Sequence, residues 1–167
     1  MKSSGFTIME LVIVMIAVGI LSVVTIVATT RAIRQIQLGS ATDKMVSDLR
    51  YAKSMASGTA KWYGISVEVS PLNQYTIYTT TGTRDTVAAN PAKFQSNFII
   101  NLNTDYGVVI GSVNIAGGKK VEFSPLGTPY DDRYGTALTA DGVITLSKES
   151  ISRTILISPN TGRIFIQ

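Results

Sequence analysis

Glu10 is the one ionisable side chain between Phe6 and Thr30, a carboxylate set in a run of apolar residues. A carboxylate facing hydrocarbon costs about 2.5 kcal/mol or more on insertion scales, so it needs a partner or a purpose. Two readings are open. Lying only a few residues into the run, Glu10 can reach lipid headgroups. Alternatively, a cut after Gly5 in Gly5-Phe6-Thr7-Ile8-Met9-Glu10 would create a positive amine on Phe6 and leave the carboxylate at the fifth position of the new chain. Two such chains, staggered side by side, could pair the amine of one with Glu10 of the other. Apolar surroundings would make that pair directional and each unpaired charge expensive.

Other chemistry is sparse. The 167 residues include no His and no Cys, which excludes Ser-His-Asp and Cys-His nucleophiles, imidazole proton shuttles, disulfides and zinc sites built on imidazole or thiolate. Lys119, Lys120, Arg133, Lys148, Arg153 and Arg163 are candidates for a phosphate-binding patch. Glu122, Asp131, Asp132, Asp141 and Glu149 are interleaved with them, which favours solvated strand ends. Gly117-Gly118-Lys119-Lys120 has the look of a phosphate loop, but Val113 stands at the first glycine position and Lys120 at the Ser/Thr position, so a β-turn is expected there. Asp131-Asp132 could contribute to a calcium site, yet a pair without spaced oxygen ligands more often marks an exposed loop. No acid–base constellation can be assembled, so no catalytic residues, metal or cofactor are expected and the chain does not read as an enzyme. The net charge of +4 is too small to imply a polyanion partner by itself.

The elements that must position these residues follow from periodicity. Charged residues are 16% of the chain, against roughly 25% in an average soluble domain, and the deficit sits at the front. Residues 11–30 carry no charge and no proline; as helix this stretch would span roughly 30 Å, the thickness of a bilayer core. A buried core helix is disfavoured, because a helix apolar all round needs a large protein around it. A cleaved secretory signal is the sharper rival, but its apolar region is normally about 7 to 15 residues behind a more basic start than Lys2 supplies. Beyond the run, Leu38, Ala41, Met45, Leu49, Ala52 and Ala56 recur at spacings of three and four, one apolar stripe on a helix. A single helix over 6–57 is predicted, about 78 Å long, with Gly58 as its C-terminal stop.

From Lys61 the period becomes two. Tyr63, Ile65, Val67 and Val69 lead through a turn at Pro71-Leu72-Asn73-Gln74 into Tyr75, Ile77 and Thr79, a hairpin. A loop is expected over 80–92, and strands over 98–102, 108–115, 120–124, 135–138, 143–146, 154–158 and 163–166. Turns are expected at Pro125-Leu126-Gly127, Ala140-Asp141-Gly142 and Pro159-Asn160-Thr161-Gly162.

Gly5-Phe6-Thr7-Ile8-Met9-Glu10-Leu11 followed by an uncharged run resembles the class III signal of type IV pilins and type II secretion pseudopilins. The resemblance implies that a prepilin peptidase cuts after Gly5 and methylates the new N-terminal Phe6, and that Glu10 guides assembly into a helical filament. Two departures stand out: Lys2 is separated from Gly5 by Ser3 and Ser4, where the family often places a basic residue beside the glycine, and the run has Gly19 where many pilins have a later proline. The C-terminal part, roughly residues 45–167, resembles the GspH/FimT branch through Val121-Glu122-Phe123-Ser124-Pro125-Leu126-Gly127, Gly142-Val143-Ile144-Thr145-Leu146, Arg153-Thr154-Ile155-Leu156-Ile157-Ser158 and Gly162-Arg163-Ile164. Some FimT proteins bind DNA through a C-terminal Gly-Arg-x-Arg; Gly162 and Arg163 match, and Phe165 replaces the second arginine.

The resemblance implies an α+β, pilin-like fold, a long N-terminal helix packed on an antiparallel β-rich head. It divides the chain into a leader (1–5), a transmembrane and filament-core helix (6–30), the amphipathic half of that helix (31–57) and a periplasmic head (58–167). The implied role is a structural minor pilin or pseudopilin in a bacterial inner membrane, later in a periplasmic or surface filament. Its implied partners are other pilins, the prepilin peptidase and an inner-membrane assembly platform. Lys2 on one side of the run and Arg31 and Arg34 on the other do not by themselves favour a cytoplasmic N-terminus; that orientation comes from the resemblance. The alternatives are a DNA-binding minor pilin using Arg163, Arg153, Lys119 and Lys120, and an ordinary single-span membrane protein with a β-rich sensor domain.

Overall fold

The computed structural model describes residues 7–93 and 96–167, the side chains of 23–28 excepted. A 70-residue opening without proline lets one helix run long: α1 spans Ile8–Thr59. It starts behind Thr7, whose hydroxyl accepts the Glu10 amide N–H at 3.3 Å, the N-cap arrangement that satisfies an otherwise orphan donor. The expected stop at Gly58 is not where the helix ends. Gly58 stays helical, Thr59 donates its hydroxyl to the Met55 carbonyl at 2.6 Å, and the left-handed residue that reverses the chain is Ala60, at φ 55°. The chain divides into two units, one up to Ile36 and one of Gln37–Gln167.

In the first unit the described residues after Thr7 are all helical, and the described apolar side chains are exposed on every side. In the second, the helical stripe is core: Leu38, Ala41, Met45, Leu49, Ala52 and Ala56 are all buried. The buried face is wider than the stripe. It also takes in Thr42, Val46 and Asp48, none of them part of that stripe.

The period-two segments form two antiparallel sheets. In the first, β1 (Trp62–Glu68) and β2 (Gln74–Thr80) make the expected hairpin, with Trp62 opposite Thr80 and Glu68 opposite Gln74. Alternate residues Tyr63, Ile65, Val67, Tyr75 and Ile77 point into the core, as the pleat requires. This sheet is completed by β3 (Asp85–Val87), β4 (Ile99–Asn101), β6 (Lys120–Phe123) and β7 (Pro129–Tyr130), in the order β3-β2-β1-β6-β7 with β4 also beside β2. The second sheet is β10-β9-β8-β5, from β5 (Val109–Asn114), β8 (Gly142–Lys148), β9 (Ile151–Ile157) and β10 (Ile164–Ile166). Ile144, Leu146, Ile155 and Ile157 of this sheet join Ile65, Tyr75, Val121 and Phe123 of the other and the helical stripe in one hydrophobic cluster.

Several sequence expectations are corrected. The 80–92 loop contains β3, an edge strand whose three residues are all exposed, so no alternation of apolar residues announces it. The expected strand at 135–138 is reduced to one bridge, Tyr130 to Ala137, because Asp131 Oδ1 accepts the N–H groups of Asp132 at 2.8 Å and Thr136 at 2.7 Å and curls the segment into a turn. The expected strand at 98–102 stops at Asn101, which caps a short helix, α2 (Leu102–Tyr106), by accepting the Thr104 N–H. Gly107, at φ 63°, closes that helix in the left-handed conformation.

Candidate functional site

Gly5 and Phe6, the expected processing site, lie outside the described residues. Glu10 is in the first turn of α1, three residues after its cap, and is exposed. The spacing Thr7-x-x-Glu10 is that of a capping box, and its threonine half is made. A carboxylate in a first helical turn is also favoured by the helix dipole. Around it Ile8, Met9, Leu11, Ile13, Met15 and Ile16 are all more than half exposed. A carboxylate therefore stands at the start of an apolar surface that has no cover in its own unit. Among the described residues no helix is long and apolar enough to cross a membrane; the described side chains of the uncharged run stop at Ser22 and resume at Thr29.

The basic residues named from the sequence are not brought into one patch. Lys119 lies just before β6 and Lys120 opens it, Arg153 is in β9 and Arg163 in the turn before β10. Lys120 is engaged by Asp132 and lies 3.5 Å from Glu122. Burial works against the Lys120 charge, but the hydrogen bond it donates to Asp132 and the charges of the two carboxylates outweigh it and raise its pKa above the usual 10.5. The same bond holds Asp132 below the usual 3.8. Lys148 donates to the Tyr106 and Gly107 carbonyls at 3.0 and 2.8 Å, closing the end of α2. Arg153 and Lys119 are exposed. Gly117 and Gly118 form the expected turn: Ile115 and Gly118 exchange backbone bonds of 3.1 and 2.8 Å.

Arg163 has company that the sequence reading did not give it. It lines a groove of about 480 Å³ with Arg50, Lys53, Ser54, Ser57 and Thr161, and among the described residues no carboxylate lines that groove. Arg50 donates to the Ile164 carbonyl at 2.9 Å and Lys53 to the Thr161 carbonyl at 2.7 Å, so both cations also fasten the C-terminal turn to α1. Arg163 lies over the Phe165 ring at 5.9 Å, the residue that replaces the second arginine of the motif. The signal that could have revealed this groove is the spacing of Arg50, Lys53, Ser54 and Ser57, which share one helical face.

Two buried polar clusters also escaped the sequence reading. Tyr75 donates its hydroxyl to Asp48 Oδ2 at 2.6 Å, and Lys44 holds both oxygens of Asp48 at 2.6 Å. Burial first, then the Asp48 charge, pushes the Tyr75 phenol far above its usual range, so it stays a donor. On the other face of the first sheet, Tyr78 donates to the buried Glu122 Oε1 at 2.8 Å. Gly64 stands between them in register, opposite both Tyr78 and Glu122. The tyrosine ring lies directly over the glycine, where a Cβ would come 2.6 Å from its hydroxyl oxygen.

No protein-family model matches the chain, and no curated protein matches it by sequence. Solved structures do match it by fold. The type IV minor pilin FimU of Pseudomonas aeruginosa superposes over 80% of this chain and 90% of its own, at 15% identity and a TM-score of 0.53; in a second crystal form the shares are 78% and 92%, at 15% identity and a TM-score of 0.50. The minor pseudopilin EpsH of the type 2 secretion system of Vibrio cholerae covers 78% of this chain and 96% of its own, at 8% identity and a TM-score of 0.57. The α+β architecture, a long N-terminal helix followed by antiparallel sheets, is therefore that of minor pilins and minor pseudopilins.

Proposed function

We propose that this chain is a structural, non-catalytic filament subunit of the minor pilin or pseudopilin type. It is held in a bacterial inner membrane by the apolar part of α1, with its head in the periplasm. It is cut after Gly5 by a prepilin peptidase, methylated on Phe6, and passed by an inner-membrane assembly platform into a filament with other pilins. The domain bounds of the sequence reading carry this role: leader 1–5, filament-core helix 6–30, amphipathic half 31–57, head 58–167.

The observation that carries the reading is the apolar surface from Ile8 to Leu21, uncovered within its unit and headed by Glu10, in a chain whose fold is that of minor pilins. Such a surface is stable only against lipid or other helices, and a filament core supplies the second once the first is left. In that core the Phe6 amine of one subunit pairs with Glu10 of another and sets the stagger. Mass and N-terminal sequence of the protein from cells test the processing: the mature chain should begin at Phe6, and a start at Met1 or beyond Ala28 would sink the reading. Glu10→Leu should leave insertion and cleavage intact and block incorporation into filaments.

One observation favours a second reading, DNA binding by the head. Arg163 shares its groove with Arg50, Lys53 and the hydroxyls of Ser54, Ser57 and Thr161, a set suited to phosphates. A gel shift with a fragment beginning at about residue 31 tests it: salt-sensitive binding that weakens in Arg163→Ala supports this reading, and no binding removes it.

A further inference from the structure

We infer that the head carries an oxyanion-binding pocket, distinct from the Arg163 groove, that takes a phosphate group with a small organic moiety attached or as the free anion. The pocket holds about 430 Å³ and is lined by Lys61, Trp62, Arg84 and Arg133, with threonines including Thr81 and Thr86 and, among the described residues, no carboxylate. Three cations facing one cavity repel each other, and an anion in their midst relieves that repulsion.

The walls are built rather than incidental. Arg133 donates to the Thr80 carbonyl at 3.1 Å and its guanidinium lies 5.7 Å from the Trp62 ring and 5.8 Å from the Tyr134 ring. Arg84 is presented by a turn in which the Thr81 N–H donates to the Arg84 carbonyl at 3.1 Å. The Tyr134 hydroxyl donates to the Thr81 carbonyl at 3.1 Å, tying that turn to the loop that bears Arg133. Gly82, at φ 89°, gives the Tyr134 ring the space to do so. The acids nearest in sequence are occupied elsewhere. Asp131 caps backbone amides, Asp132 engages Lys120, and Asp85 lines a different cavity. Lys61 and Arg84 are exposed and form no ion pair among the described residues. Phosphate fits the charge and the donor set, and the volume lies in the range of small-molecule pockets.

Trp62 is the only tryptophan of the chain, so its emission reports on this pocket. The full-length chain in detergent is titrated with inorganic phosphate and with ribose 5-phosphate, against chloride at matched ionic strength. A saturable change with either phosphate and none with chloride is expected. Arg84→Gln should weaken it about tenfold, the loss of one charge-assisted contact, while Arg163→Gln leaves it unchanged. Tighter ribose 5-phosphate binding assigns an organic phosphate; equal affinities assign the free anion. Lys61→Gln serves as the second variant, each variant being checked for an unchanged circular-dichroism melt. The absence of a saturable response to both ligands, or titrations unaltered in Arg84→Gln and Lys61→Gln, would overturn the inference.

Discussion

Replacing Tyr75 by phenylalanine removes one oxygen from the seam between α1 and β2, and the structure fixes what that oxygen does. It donates to Asp48 Oδ2 at 2.6 Å from a fully buried ring. A hydrogen bond to a charged group contributes about 1.5–3 kcal/mol. Lys44 keeps both oxygens of Asp48 after the change, so the carboxylate is not orphaned, and Tyr75→Phe should cost the lower part of that range, about 1.5–2 kcal/mol. Asp48→Ala is different in kind. It strips a buried phenol of its acceptor, adding the penalty of an unsatisfied group to the lost bond, for about 3 kcal/mol. The double variant has neither donor nor acceptor and should cost less than the two single changes added, by about 1–2 kcal/mol. Urea unfolding of the Gln37–Gln167 unit, followed by Trp62 emission, measures all four corners of the cycle. A Tyr75→Phe effect within about 0.5 kcal/mol of zero, or additive costs, would refute the claim that this bond clamps the helix to the sheet.

Other consequences follow from single contacts. Gly64→Ala should force the Tyr78 ring off Glu122 and cost about 2 kcal/mol or more by denaturant unfolding; in a Tyr78→Ala background most of that cost should vanish. Ala60→Gly should stabilise the head by about 1 kcal/mol, because the residue at φ 55° no longer carries a Cβ in the left-handed region. The Lys120–Asp132 pair predicts two limbs of pH dependence. Asp132, held below 3.8 by Lys120, contributes stability above its unfolded value that is lost as pH falls through the lower folded one. Lys120, raised above 10.5, contributes stability below that value that is lost as pH rises through the higher folded one. Melts of Lys120→Met across pH should show both limbs flattened.

What was legible in the sequence is what a period can encode. Leu38 to Ala56 at spacings of three and four and Tyr63 to Val67 at spacings of two have one buried face each, so burial and pattern coincide, and both elements are found where expected. The burial of Asp48 is not legible there, because periodicity sorts residues by polarity, whereas its burial depends on a tyrosine 27 positions away. β3 was invisible for the converse reason: an edge strand with every side chain exposed has no face to betray it. The segment 135–138 was misread because the Asp131 side chain competes for the amides that a strand would have used.

The same contrast separates the two parts of the candidate machinery. Glu10 could be singled out from sequence because a lone carboxylate in an apolar run violates the local pattern, and such violations tend to mark function. Arg50, Lys53, Arg84 and Arg133 violate nothing where they stand: each is an unremarkable cation on a helix, a turn or a loop. Only the fold brings Arg50 and Lys53 to Arg163, more than 100 residues later, and Lys61 to Arg84 and Arg133. The proposed assembly carboxylate at the front of the chain is thus marked by local sequence alone. Any ligand specificity of the head must be set by tertiary contacts, and depends on the integrity of the helix–sheet seam that Asp48 and Tyr75 hold.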